Sequence, residues 1–301
     1  MRKKITSVAA ALLVAGAFTA SAQENGNPFR VQGDNGEIVK VLPPQANAQA
    51  NKDPQPVDAV QSGTSVYPGS YGSGPLLNHG GKIIQTAKFL AVFYDSTIPA
   101  NISSGINSFI NTFGGSNDYN IITQYTGSNG SISNSIANAG QLIDHAGVPR
   151  SISDAGVQSY LAGLFNAGRL SANATTIYGV YLPNGTKSTL GSSASCRSYC
   201  GYHSHFTYNG IQVKYAVFPY LTCSGCSLSG KSVLDMLTIV TSHEIREAVT
   251  DPGDNNTDAW YDSTGYEADD KCAWHNLYQL SNGSWVQPEY SNRDGGCVVF
   301  P

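Results

Sequence analysis

The stretch Thr241-Ser-His-Glu-Ile-Arg-Glu-Ala-Val-Thr-Asp-Pro252 closes a segment, Lys231 to Thr250, rich in apolar residues: Val233, Leu234, Met236, Leu237, Ile239, Val240, Ile245, Ala248 and Val249. Their spacing predicts a helix, and a helix apolar over most of its circumference is normally internal. Asp251-Pro252-Gly253 stops it. Something must cover such a helix, and the upstream sequence offers strands. Thr175 to Leu182 and Ile211 to Tyr220 are dominated by β-branched and aromatic residues, with turns at Pro183-Asn184-Gly185 and Tyr208-Asn209-Gly210. Lys82 to Tyr94 reads as a hairpin arm followed by a buried strand. Ile102 to Phe113, Asn134 to His145 and Ser153 to Ala167 carry apolar residues at helical spacing, the last with N-cap candidates in Ser151-Ile152-Ser153-Asp154. After Gly253 come Trp260, Trp274, Trp285 and two cysteines in a Gly- and Asn-rich context, which predicts a stapled cap. The expected fold is therefore α+β: a small mixed sheet packed on helices with a disulfide-stapled C-terminal cap, over residues 78–301. Residues 23–77, rich in Gln, Asn, Pro, Gly and Ser, read as a low-complexity leader or linker.

The polar residues of the quoted helix carry the chemistry. His243 and Glu247 are four apart and stack on one face. Glu244 lies about 100° round from His243, the placement of a general base in an H-E-x-x-H metal site. Here Glu247 replaces the second histidine, and a carboxylate oxygen is a sound zinc ligand. A third ligand must come from elsewhere. Between His243 and Asp270, 28 residues hold nine of the 21 acids, while Arg246 is the one Lys or Arg within the span and Lys271 follows it. Such a density of anions beside an apolar helix requires compensation, and a metal ion supplies it. Glu267 is the first choice for third ligand, followed by Asp270 and Asp251. His203 and His205, two apart on a predicted strand, offer a further ligand in His203. Zinc is the expected ion, with calcium or manganese as alternatives for so oxygen-rich a site. His79, His145 and His275 stand alone and read as structural.

Charge and cysteines set the compartment. Arg2, Lys3 and Lys4 precede an apolar run to Phe18 and an Ala-Ser-Ala ending at residue 22, which reads as a secretory signal peptide over residues 1–22. Removing it takes three of the 17 cations and no anion, leaving 14 against 21 and a net charge of −7. So acidic a chain is a poor nucleic-acid binder, and no later apolar run is long enough to span a membrane. The expected location is secreted or periplasmic, as a monomer. Cys196, Cys200, Cys223, Cys226, Cys272 and Cys297 are six, which in an exported chain favours disulfides. Connectivity does not follow from the sequence; short spacing makes Cys196 with Cys200 and Cys223 with Cys226 candidate local pairs, and a four-thiolate zinc site is the rival reading. No nucleotide-binding glycine pattern and no G-x-S-x-G elbow is present, so a nucleotide cofactor and serine hydrolysis are not expected.

The order of Gly80-Gly81 leading a strand, Tyr119 to Tyr125, Cys200-Gly-Tyr-His203, and Ser242-His-Glu-Ile-Arg-Glu-Ala-Val-Thr-Asp-Pro252 followed by Trp260, Gly265, Glu267, Asp270 and Cys272 resembles the exordium or phosphate-induced protein 1 family and its bacterial relatives. The likeness spans roughly residues 78–300. It implies an extracellular protein, linked in plants to growth and cell-wall responses. The His-Glu-x-x-Glu helix also looks like the active helix of zincin metallopeptidases, departing from it at Glu247 and in lacking a Met-turn methionine, since Met236 is the one methionine after the signal segment. Two functions are carried forward. One is a secreted metal-dependent hydrolase acting on a peptide or protein, with Glu244 as base and Ile211 to Tyr220 as the edge on which an extended substrate lies. The other is a non-enzymatic extracellular binding or signalling protein with a structural zinc or calcium.

Overall fold

A computed structural model describes residues 26–45, 64–253 and 257–300. The predicted signal peptide and residues 46–63 lie outside the described residues. The main sheet has seven strands: β1 (Arg30–Gln32), β2 (Ile38–Leu42), β3 (Ala87–Phe93), β4 (Ile136–Ile143), β5 (Thr176–Tyr181), β6 (Gly201–Tyr208) and β7 (Ile211–Phe218). Three long helices accompany it: α1 (Ala100–Phe113), α2 (Asp154–Asn166) and α3 (Val233–Thr250).

Thr-Ile-Tyr-Gly-Val-Tyr of β5 is buried at every position, as a strand covered on both faces must be. The spatial order is β1-β2-β6-β7-β5-β3-β4. Strands β7, β5, β3 and β4 run parallel; β6 is antiparallel to both β7 and β2, and β2 to β1. On one face Phe89, Phe93, Ile177 and Tyr181 share a core with Ile106 and Phe109 of α1 and Met236 and Val240 of α3. On the other, Val92, Tyr178 and Val180 share one with Val157, Leu161 and Phe165 of α2. Each such side chain contributes about 1.5–3 kcal/mol by leaving water. The chain is thus a mixed α+β protein. Among the described residues no helix is long and apolar enough to cross a membrane.

Four expectations are corrected. The folded part does not begin at 78: within 23–77, β1 and β2 belong to the main sheet, Phe29, Val39, Val41 and Leu42 are buried, and Ser65–Tyr67 pairs with Gly296–Val299. Polar composition hid the short alternation Ile38-Val-Lys-Val-Leu42. Asn134 to His145 is not a helix but contains strand β4, half-buried at alternate positions along β3, with Gly140 at φ +96°. Within the Lys82 to Tyr94 segment only the strand β3 forms, without a hairpin arm. Ile211 to Tyr220 is no edge, because β7 lies between β6 and β5.

The cysteines pair as Cys196–Cys223, Cys200–Cys226 and Cys272–Cys297. Sequence neighbours therefore pair crosswise, clipping the turn before β6 to the turn before α3. No cysteine is free, which removes the four-thiolate zinc reading.

Candidate metal centre

Helix α3 begins in a capping box: the Ser232 hydroxyl accepts from the Asp235 amide at 3.2 Å, and the Asp235 carboxylate accepts from the Ser232 amide at 2.8 Å. It ends at Asp251, before Pro252 and Gly253. Between these ends the helix is buried from Met236 onward, so His243, Glu244 and Glu247 have no exposure to spare: 0%, 0% and 1%. Strand β6 crosses close beside them. A Cβ at Gly201 would collide with Val240 and stand 3.0 Å from Glu244 Oε1, so glycine is what allows the approach. Two residues on, His203 turns to the same face and meets the helix carboxylates.

The contacts define two donor groups sharing Glu247. His243 Nε2 is 3.0 Å from Glu247 Oε2 and 3.7 Å from Asp270 Oδ1. His203 Nδ1 is 2.9 Å from Glu244 Oε2 and 3.7 Å from Glu247 Oε2. In each group, His243-Glu247-Asp270 and His203-Glu244-Glu247, one ligand atom per residue lies within 4.8 Å of the others. Asp270 is placed by its neighbours: its amide donates to Glu247 Oε1 at 3.0 Å, and its carboxylate accepts from the Glu267 amide at 3.0 Å. Glu267, the first choice from sequence, stands one step out, with Oε2 3.9 Å from His203 Nε2 and Oε1 3.4 Å from Lys40 Nζ. Asp251 is away from both groups; it binds Lys40 and accepts from the Ala259 amide. The sequence put Asp270 and His203 behind Glu267, and the fold brings both nearer to His243 and Glu247.

Cations neutralise part of the acidic cluster and leave a remainder. Arg246, fully buried, pairs with Asp118, Asp269 and Glu289, the last at 2.8 Å. Lys271 takes Asp262 at 2.7 Å. Lys40 takes Asp251, Glu267 at 3.4 Å and Asp258 at 3.7 Å. Glu244, Glu247 and Asp270 then face His203 and His243. Buried atoms without a hydrogen-bond partner collect there: His203 Nε2, both His243 ring nitrogens, Glu244 Oε1, Glu247 Oε2 and Glu267 Oε2. Buried polar atoms are normally satisfied, so this convergence of imidazole and carboxylate donors fits a divalent cation.

Titration behaviour agrees. Burial, with neighbouring carboxylates adding to it, pushes Glu244, Glu247 and Glu267 well above the ordinary range. Burial likewise lifts Asp270 to about 8. Burial drives His243 down to about 4, with Arg246 helping, and holds His203 well below its ordinary value, with Lys40 adding to the effect. Burial also opposes the Lys40 ammonium, but Asp251, Glu267 and Asp258 together raise it above its usual value. A site that prefers neutral imidazole and protonated carboxyl groups is one where a dication can replace protons.

A hollow of about 60 Å³ lined by Lys40, His203, His205 and Asp251 adjoins a groove of about 480 Å³ along β6, lined by Ser204, His205, Phe206 and Asp258. Lys40, Asp118 and Glu289 lie far along the chain from the His-Glu-x-x-Glu helix or outside its acidic sequel. Lys40 had a legible signal, a lysine inside a β-branched alternation; the other two become partners of Arg246 only through folding. Comparison with family models, with curated proteins and with solved structures finds no match to this chain.

Proposed function

We propose that the protein is a secreted, zinc-dependent hydrolase of zincin-like plan that acts on peptides. The observation carrying this reading is the buried convergence of His243 Nε2, Glu247 Oε2 and Asp270 Oδ1 beside the Glu244–His203 pair. His243, Glu247 and Asp270 would hold the ion, with His203 and Glu267 at its flank; an imidazole among the ligands favours zinc over calcium. A bound divalent cation supplies Lewis-acid polarisation of the scissile carbonyl and eases deprotonation of water. The positive charge of such an ion would oppose the burial that keeps the Glu244 carboxyl protonated; as a carboxylate, Glu244 would take the proton of the attacking water and deliver it to the leaving amine. His203, as the Nδ1–H tautomer, donates to Glu244 Oε2 and fixes its orientation, leaving Oε1 for the water. The mixed sheet laid over the helix supports the zincin-like plan, and three disulfides fit an exported chain.

The second reading, a non-enzymatic extracellular protein of exordium type whose ion only staples the cap to α3, draws on the complete burial of Glu244. Glu244→Gln separates the two. Under the hydrolase reading the variant folds, retains stoichiometric metal by elemental analysis, and loses at least about 100-fold in peptide hydrolysis. Measurable turnover that is equal in wild type and variant discards the mechanism, and protein purified without chelator that holds no metal discards the site.

A further inference from the structure

Strand β2 is not an ordinary neighbour of β6. It comes from the start of the described chain and lies antiparallel on the β6 edge with Leu42 opposite Gly201, Val41 opposite Tyr202 and Lys40 opposite His203. Those partners are the residues of β6 that border the metal centre. Gly201 is the point where β6 passes over Glu244, and His203 bonds Glu244. From the same face of β2, Lys40 extends into a pocket made by Asp251, Asp258 and Glu267, all from the end of α3 and the segment after it. Val39 and Val41 turn to the other face, into the cluster that includes Tyr202. Backbone pairing along a sheet edge with alternate side chains read by pockets is how sheets bind extended peptides.

We propose that the β6 edge is the peptide-binding edge of this centre, that residues 26–45 are its resident occupant, and that the pocket filled by Lys40 selects a basic side chain in peptides that take its place. The inference rests on the reading that the centre acts on peptides. It names the substrate class, extended chains with Lys or Arg opposite His203, and makes one part of the cover over the buried site, β2 on the β6 edge, a piece that a substrate can displace. The acids of the pocket are supplied by the same stretch that supplies Glu247 and Asp270, so a basic residue held there sets the neighbouring backbone of the bound chain across Glu244.

The test uses the full chain with a site-specific protease sequence placed within residues 46–63. After cutting, a fluorescent peptide of residues 26–45 is added and its anisotropy followed. The peptide is expected to exchange into the nicked protein. Its Lys40→Arg form should bind within about tenfold, and its Lys40→Glu form at least about 30-fold more weakly, the cost of opposing like charges in a buried pair. Failure to exchange, or equal binding of the Lys40 and Glu forms, overturns the proposal. Should the nicked chain unfold, amide exchange in the intact chain decides: residues 38–42 should exchange faster than β3, faster still in Lys40→Met, and at the wild-type rate in Lys40→Arg. Exchange of β2 and β3 at one common rate in wild type and Lys40→Met makes β2 an integral strand and overturns the proposal. Lys-dependent binding without cleavage upholds the edge and discards the peptidase. Undiminished hydrolysis by the uncut chain does the reverse.

Discussion

Glu247 faces both histidines, at 3.0 Å from His243 and 3.7 Å from His203, so one carboxyl group is shared by the two donor groups. The pH response follows from its neighbours. Asp270 sits at about 8 in the fold against an ordinary 3.8, so between those values the folded chain holds the extra proton and stability falls as pH rises. His243, lowered to about 4 from 6.5, works in the opposite sense: between those values the unfolded chain holds the proton and stability rises with pH. Above 6.5 the histidine contribution is complete and only the carboxylate loss continues. Metal-free protein is therefore expected to lose melting temperature from pH 6.5 to 8, while zinc-loaded protein does not, because the ion replaces the protons. Thermal scans at both pH values check this; a gap between loaded and metal-free protein that is the same at each contradicts it. At this scale the sequence was legible where residues share one helix. His243, Glu244 and Glu247 follow from spacing, whereas the order of Asp270 before Glu267 depends on the turn at Asp270–Cys272, whose backbone hands the Asp270 amide to Glu247.

Helix α3 was legible because it is locally consistent: Ser232 caps it, the apolar period continues through it, and Asp251-Pro252-Gly253 ends it. Ser232→Ala is expected to cost about 1 kcal/mol in urea denaturation. Metal content should be unchanged, since His243 lies about 16 Å along the helix from the cap. A loss of metal in that variant would show that the helix start and the site are coupled. Strand β4 shows the opposite case. Ile136, Leu142 and Ile143 satisfy a helical period in part, but the segment pairs in parallel with β3 along the edge of the main sheet, and Gly140 takes a positive φ that a helix would not use. Tertiary pairing overrode a weak periodic signal.

Across the whole molecule the acidic centre is assembled from four distant pieces: β2, β6, α3 and the cap. Cys272–Cys297 fastens the turn that carries Asp270 to the final strand, Gly296–Val299, closing a loop of sequence separation 25. Replacing both cysteines by alanine is expected to destabilise by about 2–5 kcal/mol and to lower bound metal, read by denaturation and elemental analysis. Unchanged metal content would mean that Arg246, through Asp118, Asp269 and Glu289, holds the cap by itself.

The sequence by itself determined the α+β class, the buried helix, its His-Glu-x-x-Glu face, the acid-rich segment and the oxidisable set of six cysteines. Each of these is written in residues close together along the chain, where period, capping and composition act directly. Only the tertiary structure decided which cysteines pair, that Asp270 and His203 stand with Glu247, and that Lys40 of a polar-looking leader enters the acidic pocket. Those outcomes depend on contacts between residues up to 227 positions apart, as for Lys40 and Glu267, and no local pattern encodes a partner at that distance.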